Sequence, residues 1–208
     1  MDQDLDARLA EYLCSRLCHE LVGPIGAANN GIELIQELGD EKGEAFALLA
    51  ESSALASQRL LFYRMAYGAA GYRGLSTASV VRNLATAICP KGKIAFKDEG
   101  LHADKPFEHH GFGKLLLNLV AVAIECLPGG GIIEVNVKNT NPWLQATGKN
   151  VRLPTHVEAA LKGEFSKVNL EALTAQAIYT GRLAQRLNVQ VQAEFAIKNA
   201  IKFTVHFA

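Results

Sequence analysis

Residues Leu13 to Leu34, LCSRLCHELVGPIGAANNGIEL, place two cysteines four apart, a histidine directly after the second and an acid after that. Two chemistries fit this spacing. Cys14-x-x-x-Cys18-His19 is a stretched relative of the C-x-x-C-H haem-attachment signal. His19-Glu20 is an imidazole with a carboxylate beside it, suited to reversible phosphoryl transfer, because a neutral ring nitrogen attacks near neutral pH and leaves again as readily. In that reading Glu20 orients the ring or takes its proton, and Arg16, one turn back, offsets the phosphoryl charge. The plainer alternative for both charges is a solvated surface. The haem reading is the weaker, since its spacer is too long and no second axial ligand follows. A metal held by Cys14, Cys18 and His19 lacks a fourth ligand at recognisable spacing.

The chain around this stretch has 208 residues, 49% of them hydrophobic, enough for one good-sized domain or two small ones. Lysine plus arginine equals aspartate plus glutamate at 21 each, so the net charge is zero. There is no basic excess to point to nucleic acid or an anionic membrane as partner. The start, MDQDLDARLAEYL, is acidic and amphipathic, unlike a signal peptide. No segment reaches the roughly 18 apolar residues that span a bilayer. A cytoplasmic address is the expectation, with Cys14, Cys18, Cys89 and Cys126 reduced and buried as small hydrophobes.

Two textures divide the chain. From Asp4 to about Tyr67 the pattern predicts two long helices. Leu5, Leu9, Leu13, Leu17, Leu21, Ile25, Ala28, Ile32 and Ile35 hold one face of the first. It stops near ELGDEKG, where Gly39 and Gly43 flank an acidic turn, and a second apolar helix follows through Tyr63. Two antiparallel helices cannot enclose their own stripes. A four-helix bundle formed by two copies, an isologous homodimer, is the economical solution. YGAAGYRGLS then reads as a linker, dividing a hairpin domain at 1–72 from an α+β two-layer sandwich at 76–208. In the second part helical TASVVRNLATAIC precedes a strand KIAFKDE. Helical GKLLLNLVAVAIECL runs through PGGG into a strand IIEVNVKN. Helical PTHVEAALKG and NLEALTAQAIYTGRLAQRLN then lead to two closing strands, VQVQAEF and AIKFTVHF.

With 100° per residue and Leu13 at zero, Leu17, Leu21, Ile25, Ile32 and Ile35 fall between about 40° and 120°, and Cys14 and Cys18 border the stripe. His19 lands near 240°, across the helix and in water. A core histidine faces the other way. Its neighbours on that face are Ser15, Arg16, Gly23, Gly26 and Asn30. Each interior glycine costs roughly 1 kcal/mol relative to alanine, and Pro24 removes a helix hydrogen bond and predicts a kink. Such losses are tolerated where a partner approaches the backbone closely. A hairpin turning near residue 41 sets residue 62 or 63 opposite His19 and brings Arg59 and Arg64 within reach of a phosphoryl group. Partner docking is expected along Ser15, Val22, Gly23, Gly26 and Asn30.

CHELVGPIGAANNGIEL resembles the H-box of the dimerisation and phosphotransfer domain of sensor kinases, with His19, Glu20, Leu21 and Pro24 in place. More closely, its H-E-L-x-G-P-x-G-A-x-x-N-G-x-E-L run looks like that of ChpT-type histidine phosphotransferases of bacterial cell-cycle phosphorelays, and this resemblance extends over essentially the whole chain. It implies a dimeric helical hairpin followed by a degenerate domain of histidine-kinase ATPase type. NLVAVAIECLPGGG is similar to an N-box, with Asn118 and Glu125 in step. Where a kinase would hold Mg²⁺ with a second asparagine stands Val122, which offers no oxygen. No D-x-G-x-G follows in TNPWLQATGKN, and no later glycine-rich lid loop is present. Gly129 to Gly131 read as a helix-to-strand turn. At the position four after His19, where such kinases carry Thr or Asn, stands Gly23.

The resemblance therefore implies a protein that binds neither ATP nor metal itself. It would receive a phosphoryl group on His19 from the receiver domain of a hybrid histidine kinase and pass it to aspartates of response regulators. Mg²⁺ would belong to the partner receiver. Two alternatives stay open at this point, a divergent ATP-dependent histidine kinase and a non-catalytic dimeric adaptor that only docks receivers. His102, His109, His110, His156 and His206 are expected in surface, capping or structural roles, and Trp143 in a loop where a nucleotide would lie.

Overall fold

A computed structural model describes residues 2–38, 43–69, 77–101, 104–197 and 199–207. The expected acidic turn at 39–42, most of the linker, and His102 lie outside the described residues.

Two helices open the chain, α1 (Asp2–Leu38) and α2 (Glu44–Ala66), packed against one another as a hairpin. Gly43, with φ of 72°, sits in the left-handed region that admits glycine and leads into α2. The hairpin is rooted at one end only. Leu9 and Leu13 of α1 and Phe62, Tyr63, Met65 and Ala66 of α2 are buried in a core continuous with the rest of the molecule. Beyond Leu17, burial in α1 is confined to the small or rigid positions Pro24 and Gly31 that meet α2. His19 stands where the helix leaves the core.

The remainder contains α3 (Ala78–Ile88), β1 (Ile94–Glu99), α4 (Phe112–Glu125), β2 (Gly131–Asn136), β3 (Trp143–Thr147), α5 (Thr155–Leu161), α6 (Ala175–Arg186), β4 (Val189–Ile197) and β5 (Ala200–Phe207). The strands form one sheet in the order β1-β2-β3-β5-β4. β1 and β2 are parallel across the α4 crossover and the other pairs are antiparallel. Helix α4 is apolar on all sides and buried along nearly its whole length, as a helix between layers must be. It packs on β2 and β3, while α3 covers β1 and α6 covers β4. Ile133, Val135, Leu144, Ala146, Ile201, Phe203 and Val205 point into this layer, alternating with polar residues on the outer face.

The two-layer expectation holds, with two corrections. Trp143 does not lie in a loop. It opens the central strand β3, paired with Asn136 and Thr204, and the Lys202 ammonium lies 5.1 Å from its ring centre. WLQAT has a single β-branched residue and follows a proline, so its alternation is easily read as loop. The last predicted helix is shorter at its start, because the Thr174 hydroxyl closes a turn back onto Asn169 and Glu171 before α6 begins. Among the described residues no helix is long and apolar enough to cross a membrane.

Candidate functional site

His19 is exposed on α1, as its angular position requires. Ser15, Val22, Gly23, Gly26 and Asn30 are exposed as well. A Cβ added at Gly23 or Gly26 would meet nothing within 4 Å, whereas one at Gly31 would meet the Ala45 carbonyl at 3.1 Å and the Leu49 Cβ at 3.2 Å. The first two glycines leave a bare backbone facing outward, and the third lets the helices close.

α1 runs as one helix through Pro24. A proline at position 24 leaves the carbonyl of residue 20 without its helical donor. Arg59 supplies the missing donor: its Nη1 donates to the Glu20 main-chain oxygen and lies 2.9 Å from Glu20 Oε2. Arg59 thereby holds both the backbone and the carboxylate of the residue next to His19. The hairpin register differs from the expected one by two to three residues, less than one helical turn, since Glu20 meets Arg59. Arg64 is exposed one turn further along α2.

Arg16 lies elsewhere than expected. Its guanidinium is engaged by the Glu125 carboxylate at the end of α4, with both side chains largely buried. Burial raises the Glu125 pKa and Arg16 partly reverses that shift. This pair joins the hairpin to the second part of the fold, through two residues 109 positions apart that no local pattern links.

The same junction absorbs the N-box-like asparagine. Asn118 is fully buried and donates to the Ala66 carbonyl at 2.8 Å and the Lys114 carbonyl at 2.9 Å, while its oxygen accepts from Gln176 at 3.0 Å. The Tyr67 hydroxyl donates to Gln176 Oε1 at 2.6 Å. The Lys114 ammonium donates to the Tyr67 and Gly68 carbonyls at 3.0 and 2.8 Å, covering acceptors that the end of α2 leaves open. Burial, then Arg186, lowers the Lys114 pKa to about 8. Val122 is fully buried on the same helix. Asn118 is therefore committed to partners within the chain. Lys114 and Gln176 escaped the sequence reading. The signal available was a lysine inside the otherwise apolar run GFGKLLLNLV.

Cysteine burial divides. Cys89 and Cys126 are buried, which pushes both thiols up to about 12, whereas Cys14 and Cys18 are exposed, against expectation. The stripe on α1 is wider than the face α2 covers. Pro24 and Gly31 meet α2 at about 0–20°, while Cys14, Ile25 and Ile32 sit at about 100–120°, and both isoleucines are exposed.

Comparisons with known proteins agree with this geometry. The family model for the histidine phosphotransferase C-terminal domain matches residues 78–197. The chain is 34% identical over 188 residues to Protein phosphotransferase ChpT of Brucella abortus (strain 2308), covering 88% of each. It superposes on the solved structure of a bacterial phosphotransferase with a TM-score of 0.77 and 31% identity, covering 95% of each chain. With a family match over more than half of its length and this level of identity to a relative, the chain belongs to the histidine phosphotransferases.

Proposed function

We propose that the chain carries a phosphoryl group on His19 in a phosphorelay, taking it from the phosphorylated aspartate of a hybrid histidine kinase receiver and delivering it to aspartates of response regulators. The observation that carries this reading is an exposed imidazole beside an open glycine surface, with the adjacent Glu20 carboxylate held in place. The lone pair of the unprotonated ring nitrogen forms the P–N bond as the acyl phosphate P–O bond breaks, returning a carboxylate to the donor. Glu20 orients the ring or takes the proton left on it. The reverse step charges the acceptor. Mg²⁺ is brought by the receiver, whose phosphorylated aspartate it neutralises.

An ATP-dependent kinase reading is disfavoured by the burial and bonding of Asn118 and by Val122. The division at 1–72 and 76–208 is retained as part of the proposal, with the second domain acting as a fixed brace of ATPase-like descent. The exposed apolar residues Val22, Ile25 and Ile32 of α1 and Phe46, Leu60 and Leu61 of α2 support a homodimer as part of this reading. A cytoplasmic cell-cycle relay is the setting that fits.

The test mixes the purified chain with a phosphorylated receiver domain, without ATP, and follows label onto wild type and His19→Ala. Label on wild type alone is expected. Label on both removes His19 from the role. No label on wild type, with receiver binding retained, favours the adaptor. Autophosphorylation with ATP alone favours the kinase.

A further inference from the structure

Arg59 reaches two acceptors that belong to a single residue, and that residue adjoins the nucleophile. An isolated arginine–carboxylate pair at a surface contributes little. Here one of the acceptors is a helix carbonyl that Pro24 leaves open, and both side chains are about two-thirds buried. Burial first, and then the nearby Glu20 carboxylate, raises the pKa of the Tyr63 phenol. A glutamate freed from Arg59 would regain its rotamers and present an uncompensated negative charge beside the point where a phosphoryl dianion must arrive.

The geometry points to Arg59 as a positioning residue for phosphoryl transfer at His19, acting through Glu20 by fixing its backbone turn and its carboxylate. This rests on the reading of His19 as the phosphoryl carrier. Arg59 does not touch the phosphoryl group. It holds the neighbour whose placement and charge set the rate, and small displacements of such a group carry large kinetic consequences.

Transfer from a phosphorylated receiver domain is measured at saturating receiver for wild type, Arg59→Ala, Arg59→Lys, Glu20→Gln and the Arg59→Ala/Glu20→Gln double variant, with receiver affinity measured in parallel. Arg59→Ala is expected to slow transfer roughly tenfold or more, with affinity changed less than about twofold. Arg59→Lys, which keeps the charge, recovers part of the rate and stands in for the alanine variant if that one does not fold. In the Glu20→Gln background, where the main-chain contact is left but the carboxylate is gone, the loss of Arg59 costs clearly less than it does in wild type. Losses that multiply in the double variant would mean that Arg59 meets the phosphoryl group or the receiver directly, and the positioning role is overturned. An unchanged rate in Arg59→Ala overturns it too, with wild-type labelling leaving the His19 reading intact. Wild type that takes no label removes both.

Discussion

Arg59 donates to the main-chain oxygen of Glu20, the acceptor that Pro24, lacking an amide hydrogen, cannot serve. The two residues come from opposite arms of the hairpin, so a proline on one arm has made a donor on the other necessary. If Arg59 replaces the missing amide, restoring that amide should relieve the dependence. In a denaturant double-mutant cycle, Arg59→Ala is expected to destabilise the wild-type background more than the Pro24→Ala background, by about 1 kcal/mol. Equal losses in the two backgrounds would show that the carbonyl contact adds nothing to stability.

Arg16 and Glu125 form the second tie, between the hairpin and α4. Removing the guanidinium leaves a half-buried carboxylate without its partner. Arg16→Gln is expected to cost about 2 kcal/mol in urea unfolding. The same variant separates the sequence-based role of Arg16 from its observed one. If Arg16 serves the junction, folded Arg16→Gln transfers phosphoryl at close to the wild-type rate. If transfer fails while the fold survives, Arg16 serves the phosphoryl group.

Lys114 sets a pH window. Its buried ammonium, close also to Arg186, has its pKa lowered from the ordinary 10.5 to about 8. Between these values the unfolded chain holds a proton that the folded chain has released, so stability rises with pH across the window and is lost as pH falls through about 8. A neutral amine still donates two hydrogen bonds, matching the Tyr67 and Gly68 carbonyls. The buried Cys89 and Cys126 thiols pull the other way in this range, because the unfolded chain releases protons that the fold keeps. The lysine is therefore read as a difference, and unfolding free energies from about pH 7.5 to 9.5 should rise more, or fall less, in wild type than in Lys114→Met. Parallel slopes would mean that the lysine keeps its proton in the fold.

Legibility in the sequence followed the range of the interactions. The outward face of His19 was readable because 3.6-residue periodicity is local, and the same holds for α4, whose unbroken apolar run demands burial. The partners of Arg16 and Asn118 were not readable, since Glu125, Ala66 and Gln176 lie between 52 and 109 positions away and only tertiary packing brings them together. Arg59 was expected within reach of a phosphoryl group, and the structure places it on Glu20 instead. The turn position assumed from the sequence puts the register two to three residues off, an offset smaller than the reach of an arginine.

Cys14 and Cys18 test whether a second copy of the chain packs against α1. Both are exposed here and lie on the side of α1 that carries the exposed Ile25 and Ile32, away from His19. If two hairpins form a four-helix bundle, that side is covered. Both thiols should then react slowly with a maleimide in wild type, and Ile25→Glu should speed the reaction at least tenfold, since a buried carboxylate opposes association, while halving the mass seen by light scattering. His19→Ala should leave mass and thiol reactivity unchanged. Fast labelling of a wild-type dimer would place the interface on another face.

Gly26 and Gly31 make opposite demands although both lie in the same helix. The space at Gly26 is open, while at Gly31 an added methyl presses on the Ala45 carbonyl and the Leu49 Cβ. Alanine at Gly26 should therefore raise stability by about 0.5–1 kcal/mol through helix propensity alone. At Gly31 the same change should lose that gain to crowding and lower the midpoint of unfolding. A glycine kept at a site where alanine would be more stable needs a reason outside folding, and the approach of a receiver to the bare backbone supplies it. Gly26→Leu should keep the fold and the dimer and weaken receiver binding at least tenfold in calorimetry, a loss of about 1.4 kcal/mol. Unchanged affinity would move the docking surface away from the face that His19, Gly23 and Gly26 share.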